Sequence, residues 1–157
     1  MTTISGAWSA TEIERFLDDA IIPIRLACTT PGGKLWMLSL WFRYDEGSFW
    51  CATGRDADVV GYLNSSPEVT FEVSTNDPPY RGVRGRGVAS ITPDTEKSLL
   101  TALLVRYLGG TESSLAQQLR SAGREEVRIE IVPEKLYSWD FSERMADAVT
   151  PQQEKST

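Results

Sequence analysis

Short apolar runs alternate with turn-forming clusters along this chain, and one strongly helical stretch lies past its middle. Ser9-Ala10-Thr11-Glu12 has capping-box spacing, and Ile13, Phe16 and Leu17 follow at helical intervals, which predicts a helix over residues 10–19. Three strand-like runs come next, at 22–29, 34–44 (KLWMLSLWFRY) and 48–53, separated by Pro31-Gly32-Gly33 and Asp45-Glu46-Gly47. The middle run lacks alternation, as expected of a strand buried on both faces. Val59, Val60 and Leu63 predict a short helix, and VTFEV at 69–73 alternates as a strand. A polar, proline-rich loop at 75–79 leads into a strand over 80–91, loosened by Gly82, Gly85 and Gly87. Such glycines mark bulges, bends or a ligand close to the backbone.

Past Pro93, Leu99, Leu100, Leu103, Leu104, Tyr107 and Leu108 form one face of an amphipathic helix, which Gly109-Gly110 stops. A shorter helix is expected over 113–120. The alternation of Val127, Ile129 and Ile131 predicts a strand, Pro133 a turn, and LYSWDF at 136–141 a last strand, so the chain should close on a hairpin. Together these runs predict a mainly β, antiparallel barrel of six or seven strands with short α-helical additions. One domain is expected over residues 1–147, followed by a polar, disordered tail at 148–157.

Composition narrows the chemistry. The chain has 157 residues and no histidine, which excludes a Ser-His-Asp triad, a Cys-His dyad and His-ligated metal or haem. The usual side-chain acid/base near neutral pH is missing too, so a bound cofactor should carry any difficult chemistry. With 16 basic and 22 acidic residues the net charge is −6, which argues against nucleic acid as the main partner. Cys28 and Cys51 form no CxxC pair and read as buried, reduced thiols, a disulfide being the alternative. No run approaches the roughly 18–20 apolar residues of a membrane span, and no basic-then-apolar leader opens the chain, so the expected compartment is the cytoplasm.

Four segments could hold a ligand. Ser39 is the one small polar residue in a bulky apolar strand; its hydroxyl either bonds neighbouring backbone or faces a flat ligand. Thr53, Gly54 and Arg55 stand where a strand gives way to a helix start, a place suited to phosphate. Tyr80 to Gly87 (YRGVRGRG) concentrates three arginines in an acidic protein. In a regular strand Arg84 and Arg86 share a face and Arg81 takes the other. The patch is either a solvated or salt-bridged edge or a site for phosphate or carboxylate, with a short RGG-type nucleic-acid segment as the minor alternative. Trp139, in the last strand, either caps the barrel or stacks on an aromatic ligand.

The order of these pieces resembles the pyridoxamine 5′-phosphate oxidase-like flavin-binding split barrels. The resemblance runs from about Asp18 to Met145, through PIRLACTTPGGKLWMLSLWFRYDEGSFWCATGR, YLNSSPEVTFEV, YRGVRGRGVASI, LLVRYLG and SWDF. It implies a homodimer with flavin mononucleotide (FMN) at the subunit interface and a small organic substrate; close relatives use a deazaflavin coenzyme, and a few bind haem. The isoalloxazine would lie along the second strand, at Met37, Leu38, Ser39, Leu40 and Trp41. Thr53, Gly54 and Arg55 would meet the phosphate, with Arg81 and Arg84 as further candidates. Many relatives carry a phosphate-binding Lys in the following helix, in an approximate R-K-x-x-N-L pattern; this chain has Val59 there. The missing charge implies a loss of about 1.5–3 kcal/mol unless an arginine substitutes. A flavin carrier, or a dimeric binding module without cofactor, is the non-enzymatic alternative.

Overall fold

Ser9 caps the first helix as its spacing predicts. In the computed structural model, which describes residues 1–147, Ser9 Oγ accepts from the Glu12 amide and Glu12 Oε1 accepts from the Ser9 amide, both at 3.2 Å. This helix, α1 (Ala10–Asp19), follows a short strand β1 (Thr3–Gly6) and turns Ile13 and Leu17 into the core. Then come β2 (Ile24–Thr29), β3 (Leu35–Leu40), β4 (Arg43–Asp45), β5 (Ser48–Gly54), α2 (Asp58–Ser65), β6 (Glu68–Ser74) and β7 (Arg81–Pro93). Two helices, α3 (Ser98–Leu108) and α4 (Ser114–Leu119), precede β8 (Glu126–Asp140). The strands form one sheet in the order β3-β2-β6-β7-β8-β5-β4, antiparallel throughout except that β1 runs parallel to β8. The sheet wraps a core in which Phe49 packs on Phe42, Tyr44 and Phe71. The tail expected over 148–157 lies outside the described residues.

The structure corrects the sequence reading at four places. The long run at 34–44 is two strands, because Phe42 turns inward between them and its amide donates to Tyr107 Oη at 3.1 Å. Nor is β3 buried on both faces: Trp36, Leu38 and Leu40 pack on the core while Leu35 and Met37 face outward, 89% and 62% exposed. The final hairpin is one continuous strand, since Pro133 sits at a register shift where Gly87 opposes it and Arg86 opposes Lys135. A bulge is where a strand tolerates a residue without an amide hydrogen. Finally, β1 brings the described strands to eight, and it pairs with Lys135 to Ser138, beyond the stretch of β8 that β5 covers.

Helices cover only part of the outer surface. Leu100, Leu104 and Ala116 pack with Trp41, Ala52 and Leu119 over β5. Asp94, 2% exposed, holds the start of α3 by accepting from the Leu99 and Leu100 amides and from Arg128 Nε. The described helices leave open the outer face of β3, β2 and β6 and of the β7 and β8 stretches around Arg84–Arg86 and Lys135–Tyr137.

Candidate functional site

On that bare face the strand registers align side chains from five strands into rows. Ser39, Arg25, Glu72, Arg84 and Tyr137 are successive cross-strand neighbours on β3, β2, β6, β7 and β8. Two residues along, Met37, Ala27, Thr70, Arg86 and Lys135 make the next row. Side chains two apart on a strand share a face, and direct cross-strand partners stand about 5 Å apart. Small Ala27 and Thr70 lie mid-row between long neighbours, and the surface sinks there into a hollow of about 660 Å³. It continues past Thr29, Leu35 and Glu68 into a second hollow of about 450 Å³, which shares Ala27, Thr70 and Arg86.

The first hollow is positive. Arg25, Arg84, Arg86 and Lys135 line it, with Glu72 as its one carboxylate. Arg25 Nη1 donates to Ser39 Oγ at 2.8 Å. The Arg84 guanidinium lies over the rings of Tyr137 and Trp139, at 4.7 and 5.1 Å. Arg86 reaches Glu134 only at 4.0 Å, an exposed pair of little strength. Glu72 Oε1 accepts from Ser74 Oγ at 2.8 Å. Cations held beside exposed apolar surface, in a protein of net charge −6, suit a flat ligand that carries an anionic group.

The residues singled out from sequence fall into four places. Met37 and Arg84 line the hollow, and Ser39 borders it through Arg25. Leu38 and Leu40 turn to the core, and Trp41 stacks on Tyr107 with ring centroids 5.2 Å apart. Thr53 and Gly54 end β5, outside this hollow, and Arg55 is exposed there in an ion pair with Glu125. Arg81, on the opposite side of its strand from Arg84 and Arg86, lines a separate hollow of about 210 Å³ with Trp8, Phe16 and Asp140. There burial pushes the Asp140 carboxyl up, but hydrogen bonds from Ser142 and Trp8 and the nearby Arg81 outweigh it and leave its pKa lowered. Val59 is 1% exposed and packs in the core.

Arg25, Glu72, Lys135 and Tyr137 carry no local signal, because each reaches the hollow only through strand pairing. Arg86 alone of the added residues stood in a motif. The glycines of β7 serve strand packing: a Cβ on Gly82 would come within 2.6 Å of Val73 O, and one on Gly85 within 2.1 Å of Lys135 O. Both cysteines are buried free thiols, and burial pushes Cys51 up to about 12. No helix among the described residues is long and apolar enough to cross a membrane.

No family model matches the chain, and no curated protein matches its sequence. Solved structures do match. A conserved hypothetical protein from Mycobacterium tuberculosis is similar at TM-score 0.70 and 25% identity, over 85% of this chain and 86% of that one. An F420 reductase gives TM-score 0.69 at 21% identity, over 83% of this chain and 98% of that one. A Listeria innocua protein assigned as a pyridoxamine 5′-phosphate oxidase gives 0.61 at 17%, over 80% and 94%. The chain thus has the split-barrel fold of the pyridoxamine-phosphate-oxidase type, whose members here include flavin-binding proteins. Fold alone does not choose the ligand.

Proposed function

We propose, from the split-barrel fold as premise, that this protein is an oxidoreductase binding a flavin-type cofactor in the Arg25–Arg84–Arg86–Lys135 hollow and acting on a small organic substrate. The observation that carries the reading is the row of cations beside a shallow, partly apolar floor on a sheet face that no described helix covers. The bound ring would supply the electron or hydride transfer. The chain's own residues hold and orient it: Met37, Ala27 and Thr70 offer the floor, and Arg86 and Lys135 at the end of the row hold the phosphate. Thr53, Gly54 and Arg55 are the alternative phosphate grip, with Arg81 further off. Without histidine, no residue of the hollow is assigned as acid or base.

FMN is the first cofactor to test, and the deazaflavin coenzyme the second. An F420 reductase shares the fold, and four cations offer more charge than a single phosphate needs. Fluorescence titration of the purified chain with FMN and with 5-deaza-FMN is expected to show saturable quenching with at least one. No response to either sinks the cofactor reading. Replacing Arg86 and Lys135 together by alanine is expected to weaken FMN at least tenfold while leaving phosphate-free riboflavin nearly unchanged, as loss of a charge-assisted phosphate contact requires. The same FMN-specific loss in Arg55→Ala, with Arg86→Ala silent, would move the grip to the end of β5.

A homodimer fits the same face. Met37 lines the first hollow and Leu35 the second, Val88 stands opposite Glu68 of the second hollow and Val132 opposite Val88; all four are exposed, and such a grouping marks a contact surface. Light scattering is expected to give twice the 17.5 kDa chain mass, and Leu35→Glu to shift the population toward monomer. A wild-type monomer at high concentration would remove the dimer from the proposal.

A further inference from the structure

The row Arg25–Glu72–Arg84 has a chemical sense of its own. Glu72 is the direct cross-strand neighbour of Arg25 on one side and of Arg84 on the other. Charges placed this way normally close into ion pairs. Here neither does among the described residues: Arg25 is turned to Ser39 and Arg84 to the rings of Tyr137 and Trp139, while Glu72 is held by Ser74 through Oε1 alone. Among the described residues its Oε2 has no hydrogen-bond donor, and the carboxylate lines the hollow. The row therefore presents donor, acceptor and donor in sequence across three strands, at the edge of the Ala27–Thr70 floor.

Resting on the cofactor reading above, we infer that Glu72 is the specificity-determining acceptor for the imide edge of the bound ring. An imide offers the complementary order, carbonyl, N–H, carbonyl. Glu72 takes the N–H, and Arg25 and Arg84 donate to the flanking carbonyl oxygens. A carboxylate that accepts from a neutral N–H makes a charge-assisted bond, stronger than a neutral one. A site built this way rejects an analogue lacking the hydrogen, because its own acceptor is then left unmatched. Flavins and 5-deazaflavins share this edge, so the inference does not depend on which of them is native.

The test uses rings without phosphate, so that the charge of Glu72 does not act on an anionic tail. Riboflavin, 5-deazariboflavin and N3-methylriboflavin are titrated into the full-length chain by fluorescence. Wild-type protein is expected to bind the first two at least tenfold more tightly than the methylated ring, as loss of one such bond implies. In Glu72→Ala that preference should disappear, with an unchanged circular dichroism spectrum; Glu72→Gln, which keeps an acceptor oxygen, should restore part of it. Equal wild-type affinity for methylated and unmethylated rings overturns the inference while leaving the cofactor reading intact. So does a preference that survives in Glu72→Ala. Failure of all three rings to bind wild-type protein, with FMN binding normally, also overturns it, since phosphate would then carry the affinity. If FMN and 5-deaza-FMN fail as well, the cofactor reading falls first and takes this one with it.

Discussion

Gly85→Val is expected to destabilise the protein by about 4 kcal/mol, the upper end of what a single overpacking substitution costs. A Cβ at Gly85 would come within 2.1 Å of Lys135 O and 3.0 Å of Phe71 Cζ. The first of these is backbone in a paired strand and cannot rotate away; the second is a ring of the core. Relief requires β7 to separate from β8, the longest ladder in the sheet. Because Gly85 lies between Arg84 and Arg86, the same displacement misplaces both rows of the hollow, so ring binding should fall with stability. Urea unfolding followed by tryptophan fluorescence measures the first effect, and titration below the unfolding transition measures the second. A loss under about 1 kcal/mol would mean that β8 can yield, contrary to the geometry. Gly61→Ala is the matched control: nothing lies within 4 Å of its added Cβ in α2, and alanine in a helix should stabilise by about 0.5–1 kcal/mol.

Arg106→Ala should cost about 3 kcal/mol, through loss of charged hydrogen bonds that leaves several acceptors unmatched. The end of α1 has no basic residue of its own. Arg106, on α3, supplies the missing cation: Nη1 donates to Asp18 O at 2.8 Å, and Nη2 to Leu17 O at 2.7 Å and Ala20 O at 2.9 Å. A cation at a helix C-terminus gains from the helix dipole as well as from each bond. Its guanidinium also lies near the rings of Phe42 and Tyr107, at 5.2 and 5.5 Å. Its Nε is buried without a partner among the described residues, which offsets part of this gain. For a chain of this size the loss corresponds to a melting temperature lower by about 6–12 °C. Arg106→Lys should recover only part, because an ammonium lacks the planar fork that reaches three carbonyls at once. Equal melting temperatures for wild type and Arg106→Ala would show that water satisfies these carbonyls as well as the guanidinium does.

The elements whose information is local were legible from the sequence. The Ser9 capping box fixes α1 at Ala10–Asp19, the leucine face fixes α3, and alternation in VTFEV fixes β6. In each case the signal and the structure it specifies lie within a few residues of each other. The errors arose where a long-range partner decides. Residues 34–44 divide because Tyr107, on α3, captures the Phe42 amide, and 126–140 stay together because β7 supplies a bulge opposite Pro133.

The site divides along the same line. Alternation within one strand sufficed to put Arg84 and Arg86 on one face and Arg81 on the other, and the absence of histidine pointed to a borrowed cofactor. The sequence by itself thus determined a β-rich barrel, its helices and a concentration of arginine on one strand. Only the tertiary structure decided that Arg84 stands beside Glu72, that Glu72 stands beside Arg25, and that the helices leave this row uncovered. The physical reason is that a strand specifies its own two faces through its backbone period, whereas its register against four other strands is a property of the folded sheet.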